Sequence, residues 1–478
     1  ADSTSTPEPT APPKVTAAAA SSSSGNKEKA KKVANTSKRG RNEKKGIIEV
    51  EPVMGTRDFY PEDMRVRNWL FDQFKAAARS FCFQEYDCPI LELEELYKRK
   101  AGEDITKQMY NFKDKDEYDV ALRPEMTPSL ARLILKRGKT MLLPVRWFTI
   151  GQCWRFETIQ LGRKREHYQW NMDVIGVSAV TCEVELLAAI TTFFTNVGLK
   201  SSDVGIKVNS RKVLQQVLEP LGVVGEKFAP VCVVVDKLDK LTEEEVHKEL
   251  AALSLGPEII AKITEALSVK DLAQLEAMLG AENSAVVELK TLWSLAESYG
   301  FADWLIFDAS VVRGLAYYTG VVFEAFDRQK QFRAICGGGR YDGLMSLYGS
   351  KEVIPAAGFG MGDVVIVELL KAKGLLPDLP PQVDVMVVPF DESLRPAAYQ
   401  VAAKLRSIGK RVEVQLIPKK KMGWCYDLAD RIGANQLCLV APDEWNAGKI
   451  RIKNLRLPED DPKKQFDLEF SKVGEVDF

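Results

Sequence analysis

The sequence predicts an α+β protein of more than one domain, and three observations carry that prediction. At 478 residues the chain is too long for a single compact core. Two strand-rich regions are separated by a block, 212–298, in which Glu, Leu and Ala recur at helical spacing. Past Pro381 short apolar strands alternate with amphipathic helices, the pattern of a small doubly wound α/β domain.

Residues 1–46 come first. Ten Lys/Arg and four Asp/Glu within 1–45 give +6, and the total of −1 leaves −7 for the rest. The segment lacks periodic apolar residues and is expected to be a disordered basic arm with weak RNA affinity. Its acidic residues Asp2, Glu8, Glu28 and Glu43 argue against the remnant of a transit peptide. The acidic body leaves only local patches for nucleic acid. No apolar run nears the roughly 20 residues of a membrane helix, so no membrane partner is expected. Eight scattered cysteines and two histidines, His167 and His247, form no zinc pattern and point to reduced thiols. A cytoplasmic address is expected, with mitochondrion or plastid as the alternative.

Order begins near Ile47, and a first region spans 47–211. Pro61 opens a helix over 62–81 whose Met64, Leu70, Phe71, Phe74, Ala77, Ala78 and Phe81 share helical spacing. "EYDCPILELEELY" reads as a strand containing Pro89, which places it at an edge or an interface. "YDVALRP" and "VRWFTIGQCWRFE" are further strands, and 180–198 reads as an amphipathic helix. The helical block 212–298 reads as an insertion, because strand-like sequence resumes in 299–377 with "WLIFDASVVRGLAYYTGVVFEAF" and "FRAICGGGRYDGLM". A Pro-rich linker leads to the last domain, 382–478. There "PKKKMGW" offers Lys419, Lys420 and Lys421 to phosphates, and Trp424 either to a base or to the core. No Gly-rich phosphate-binding signature appears in this domain.

Four stretches place charged or polar residues inside strand-like apolar sequence. They are "ALRPEMTPSL" with Arg123, Glu125 and Thr127; "WRFETIQLGRKREHYQWNMDVIG", a hairpin with cations at its tip; "VVRGLAYYTG" with Arg313, Tyr317 and Tyr318; and "CGGGRYDGL" with Arg340 and Asp342. A charge in a sheet interior costs several kcal/mol unless it is paired or faces a cleft. One such residue is best read as a salt bridge, whereas four stretches together suggest a polar cleft floored by a sheet. Arg155, Arg163, Arg165 and Arg313 suit phosphate or carboxylate, while Glu125, Gln169 and Asp173 suit an ammonium or a ring N–H. The triple glycine either lets a backbone approach a ligand or makes a tight turn. Cations beside carboxylates fit a zwitterion next to a phosphate, that is, an amino acid beside a nucleotide.

From about Val53 to about Leu455 these residues resemble the histidyl-tRNA synthetases, a class II aminoacyl-tRNA synthetase family. "GTRDFYPED" resembles the family's opening signature, and "DCPILE" looks like motif 1, the dimer-interface element. "RPEMTP" looks like the histidine loop, "CWRFE…GRKREHYQWNMD" is similar to motif 2, and "RGLAYYTG" resembles the histidine-specific signature. The resemblance implies a class II antiparallel-sheet catalytic domain with a helical insertion, plus a C-terminal α/β anticodon-binding domain. It implies ligation of L-histidine to tRNA(His) with ATP, Mg²⁺ accompanying the phosphates, and a homodimer formed through the helix at 62–81 and the strand around Pro89. Arg155 and Arg313 would be the catalytic cations, Arg155 on the α-phosphate and Arg313 bridging it to the histidine carboxylate. Glu125, Thr127 and Gln169 would hold the α-ammonium, with Met126 beside them, and Asp173 and Tyr318 would read the imidazole, with Tyr317 beside them. Glu157, Arg163 and His167 would complete the ATP site, His167 standing where an aromatic ring stacks on adenine and being able to titrate.

Two departures stand out. Motif 3 normally ends in an Arg that holds the ATP tail, but here Asp363, Val364 and Val365 occupy that place, so Arg163 or Arg340 is expected to substitute. Ala316 replaces a common Asp, with little effect expected on binding. Two rival readings are a synthetase-like regulatory paralogue that binds histidine without charging tRNA, and a pure RNA-binding module that works through the basic arm.

Overall fold

The computed structural model describes residues 50–98, 103–235, 242–313, 317–417 and 421–475. The basic arm 1–46, Ala316, Lys419 and Lys420 lie outside the described residues. Helix α1 (Pro61–Ser80) starts on its proline and buries Leu70, Phe74, Ala77 and Ala78, one stripe at helical spacing. The segment expected to be one strand containing Pro89 is two strands. β1 (Gln84–Glu85) joins a large sheet and β2 (Leu91–Leu93) a small one, with Pro89 in the bend between them. A residue with no N–H to donate suits the place where the chain changes sheets. β3 (Tyr110–Lys113) and β4 (Asp119–Leu122) complete the small sheet in the order β2-β4-β3.

Helix α2 (Thr127–Arg137) leads to the long hairpin β5 (Val145–Trp154) and β6 (Glu166–Ile175), paired antiparallel over its whole length. Then come α3 (Thr181–Asn196), β7 (Val204–Ser210), the helices α4 (Arg211–Leu218), α5 (Phe228–Val235), α6 (Glu243–Ala252), α7 (Pro257–Ser268), α8 (Leu272–Leu279) and α9 (Ser284–Tyr299), and β8 (Leu305–Phe307), β9 (Val321–Asp327), β10 (Cys336–Arg340), β11 (Ala356–Gly362) and α10 (Asp363–Ala372). The eight-stranded sheet runs β1-β5-β6-β11-β10-β9-β7-β8. It is antiparallel from β5 to β7, and only its two edge pairs are parallel.

Strand period decides which side chains see the core. On β6, Trp170, Met172 and Val174 face the helices behind the sheet, and Trp170 stacks on Phe74 with ring centroids 4.7 Å apart. Gln169, Asn171 and Asp173 alternate with them and face the other way. Helix α3, expected to be amphipathic, is instead buried at 11 of its 16 positions. It lies between the sheet, α1 and α9, so little of its surface is left for water. Helices α4 to α7 enclose a core of their own around Leu218, Val231, Leu250 and Ile263. Helices α8 and α9 instead send Leu275, Leu289 and Leu292 into the main core.

The C-terminal sheet has the order β13-β12-β14-β15-β16, made of β12 (Val383–Pro389), β13 (Val412–Val414), β14 (Ala434–Val440), β15 (Lys449–Asn454) and β16 (Gln465–Glu469). Its first three strands are parallel and the last two antiparallel. Alternation on β12 covers both faces. Val385 and Val387 pack on α11 (Arg395–Ser407), while Met386 and Val388 pack on α12 (Met422–Arg431). Trp424 packs half-buried in the α12 cluster, which favours the core over base stacking for its ring.

Candidate active site

The sheet face opposite the helices floors a cleft of about 200 Å³. Three walls bring the expected residues to it. The loop between β4 and α2 supplies Glu125, the first residue of α2 is Thr127, and the hairpin supplies Arg155, Gln169 and Asp173. The segment between β8 and β9 supplies Arg313, Tyr317 and Tyr318. Met126 is not on the surface of the cleft: its side chain is fully buried with Cys88 and Cys153. Arg123 is also structural, donating from Nε to Gln152 O at 2.8 Å and from Nη1 to Cys88 O at 2.6 Å.

Glu125 is buried and accepts the Tyr317 hydroxyl at 3.3 Å. Burial pushes its carboxyl up, and the Arg155 charge and the Tyr317 bond hold it partly down. Arg155 leaves the end of β5 and is oriented by Nε donating to Pro124 O at 2.9 Å. Deeper in the cleft, the Tyr341 hydroxyl donates to Asp173 Oδ1, while the buried Asp173 Oδ2 has no partner. Burial pushes the Asp173 carboxyl up to about 7, against the lowering effect of the Tyr341 bond. Glycines make room for these groups. A Cβ at Gly358 would sit 2.1 Å from Asp173 Oδ1, and one at Gly337 would sit 2.6 Å from the Arg313 guanidinium carbon. The triple glycine is therefore a flat strand that lets side chains lie across it, not a turn.

Arg313 stands on a loop, not on a strand as its sequence context implied, and its φ is +55°. A positive φ is uncommon for a residue with a Cβ. Its conformation is held from the start of the helical insertion. Arg211, buried at the head of α4, donates from Nε to Val312 O at 2.8 Å, from Nη1 to Tyr318 O at 3.0 Å, and from Nη2 to Arg313 O. Asn209 adds Nδ2 bonds to Ala309 O at 2.9 Å and Val311 O at 3.1 Å. Nor is Arg313 without a local partner, since its Nη1 donates to Glu324 on β9. Tyr341, Glu324, Asn209 and Arg211 escaped the sequence reading. Only Tyr341 carried a local signal, as the neighbour of the triple glycine and Arg340.

The stretch of chain that builds this cleft matches a known family. Residues 55–362 match the family model described as "Histidyl-tRNA synthetase", and residues 384–476 match "Anticodon binding domain". The Arabidopsis thaliana protein named "Histidine--tRNA ligase, chloroplastic/mitochondrial" is 51% identical over 422 residues, which are 88% of this chain and 86% of that one. The chain belongs to the histidyl-tRNA synthetase family. A "Histidine--tRNA ligase" of Leptospira biflexa is 35% identical over 435 residues, 89% of this chain and 97% of its own. The crystal structure of histidyl-tRNA synthetase from Nostoc sp. PCC 7120 superposes with a TM-score of 0.71 at 25% identity, covering 90% of this chain and 99% of that one. The function is that of a histidine–tRNA ligase, an aminoacyl-tRNA synthetase that uses ATP.

Against the pattern of the histidyl-tRNA synthetases, the two candidates for the missing motif 3 arginine differ. Arg340 is committed elsewhere: its Nε and Nη2 each meet the Glu183 carboxylate at 2.7 Å, and it also donates to Val177 O and Ala179 O. It anchors the back of the sheet and cannot serve a ligand. Arg163 stays at the hairpin tip, where it pairs with Glu157 at 2.6 Å. Arg165 turns away, its guanidinium 3.9 Å over the Phe156 ring and its Nη1 donating to Met54 O. Asp363, where sequence similarity would place part of motif 3, pairs with Arg57 at 3.0 Å and accepts the Tyr168 N–H at 2.9 Å. It thus ties the "GTRDF" segment to the hairpin. His167 does not titrate near neutrality, because burial and the Arg155 and Arg57 charges lower its pKa to about 3. Its ring is a neutral flat surface at physiological pH.

Proposed function

We propose that this cleft forms histidyl-adenylate, with the imidazole on Asp173 and Tyr318 and the α-ammonium on Glu125, Thr127 and Gln169. The observation that carries the reading is Asp173 Oδ2, buried in the cleft and without a partner. A buried carboxylate oxygen left unsatisfied demands a polar ligand group, and a ring N–H of histidine meets the demand. Tyr317, bonded to Glu125, stands beside that end of the substrate. Arg155 and Arg313 then face the histidine carboxylate and the ATP α-phosphate. A carboxylate oxygen attacks the α-phosphorus, the bond to the β-phosphate oxygen breaks, and pyrophosphate leaves. No protein nucleophile is needed, and fixed guanidiniums supply charge where it develops. The terminal ribose hydroxyl of tRNA(His) next attacks the activated carbonyl, and AMP departs. Glu157, Arg163 and His167, at the open end of the hairpin, would flank the adenine and the phosphates.

Among the described residues no group of three His, Cys, Asp or Glu side chains could hold a metal ion. Mg²⁺ would accompany the β- and γ-phosphates of ATP. Histidine-dependent exchange of pyrophosphate into ATP tests the whole reading. Residues 382–478 would select tRNA and take no part in activation. Residues 47–211 and 299–377 would form the catalytic body, with 212–298 inserted. Among the described residues no helix is long and apolar enough to cross a membrane. The Arabidopsis relative is named for chloroplast and mitochondrion, which favours an organelle over the cytoplasm for this chain.

A homodimer is part of the same reading. Ile90, Leu91 and Leu93 are exposed beside Pro89, and Tyr60 at the head of α1 is 64% exposed. Apolar residues exposed on the edge strand β2 need cover, and two-fold closure is the common solution. Sedimentation at micromolar concentration should give a dimer, and Leu91→Glu with Leu93→Glu should shift it toward monomer. A wild-type protein that sediments only as a monomer contradicts this.

A further inference from the structure

We propose that Arg333 is a further ATP-binding residue, one that grips the β- and γ-phosphates and the pyrophosphate that leaves. The proposal rests on the reading of the cleft as the site of histidine activation. Arg333 lies on the loop between β9 and β10, directly before Ala334, Ile335 and Cys336, which line the cleft. Its Nη1 is buried and has no hydrogen-bond partner. Among the described residues no carboxylate within ion-pair distance neutralises it. A guanidinium nitrogen withdrawn from water without an acceptor is costly, and such a group persists where a ligand completes it.

The neighbours sharpen the ligand's chemistry. Arg163 is pushed below its usual value, first by burial and then by the charges of Arg333 and Arg155, with Glu157 opposing. The guanidiniums of Arg333 and Arg155 thus both act on Arg163 at the hairpin tip, where Glu157 is its paired carboxylate. In a body whose formal charge is acidic, such a gathering of forks suits a polyanion. The histidine end already has its own polar set around Asp173, further along β6. Helix α10, on the same side as the tip, offers no cation in its first turn. Asp363 is spent on Arg57, and Val365 is 8% exposed and lies under Gly162 of the tip. The charge for the ATP tail therefore comes from the tip and from the 328–335 loop.

The test compares full-length wild type with Arg333→Ala and Arg333→Lys in histidine-dependent pyrophosphate exchange. Arg333→Ala should raise the KM for ATP and for pyrophosphate about 10-fold or more and leave the histidine KM unchanged. Arg333→Lys should recover part of the loss, since it keeps the charge but not the fork. Histidine binding without ATP, followed by calorimetry, should be unaltered, which separates a phosphate contact from a structural role. An unchanged ATP KM in Arg333→Ala overturns the proposal, and so does a parallel loss of histidine binding. Normal exchange with a raised tRNA KM in charging also overturns it, because the phosphate gripped is then that of tRNA. If the wild type itself shows no histidine-dependent exchange, the reading of the cleft fails first, and Arg333 falls with it.

Discussion

Arg313→Lys should lower histidyl-adenylate formation by about 10²- to 10³-fold, the cost of removing one preorganised donor from a charge-developing site. Lysine keeps the charge but concentrates it on one ammonium. The arginine fork can hold Glu324 with one nitrogen and still present others to a carboxylate and a phosphate. The fold should survive, because Arg211 and Asn209 hold the loop through its carbonyls, contacts that the substitution leaves in place. Single-turnover adenylate formation reads the rate, and thermal unfolding checks the fold. Near-normal rates in this variant would remove Arg313 from the reaction centre.

Asp173→Asn should produce two opposite effects. Histidine KM should rise by about 10- to 100-fold, since a buried charged acceptor is lost, while the ATP KM changes little. The ligand-free protein should become more stable at alkaline pH. The folded-state pKa of Asp173, about 7, lies above the ordinary aspartate value of 3.8, so between these values the folded protein binds the extra proton. Its ionisation therefore costs stability as pH rises through about 7, on the order of a few kcal/mol, and that cost fades toward pH 4. Asparagine never ionises. Urea unfolding should show the gain of Asp173→Asn in full at pH 8 and reduced at pH 5. A variant destabilised equally at both pH values contradicts the burial of an unpaired carboxylate, and an unchanged histidine KM removes Asp173 from the pocket.

Much of the site was legible in the sequence because strand period and residue chemistry disagree there. Gln169, Asn171 and Asp173 alternate with Trp170, Met172 and Val174, so one face of β6 had to be polar while the other was core. The family motifs then assigned roles that periodicity could not. What escaped was set by distance along the chain. Arg211 reaches the Arg313 loop from about a hundred residues away, and Tyr341 meets Asp173 only because β10 and β11 bring them together. Helix α3 looked amphipathic because pattern reports which face is apolar, not that α1 and α9 cover the rest. Arg313 looked like a strand residue because a left-handed φ at an arginine leaves no mark in composition. Met126 and Arg340 sit in motifs that carry ligand-facing neighbours, yet one fills the space behind the strand and the other locks onto Glu183.

Exchange of labelled pyrophosphate into ATP, run on the full-length chain without tRNA, tests the central claim most directly. The reading of the cleft expects exchange that depends on L-histidine, is absent with the other amino acids, and is lost in Arg313→Lys. Exchange that proceeds without histidine, or no exchange above background when histidine and Mg²⁺–ATP are both present, contradicts it.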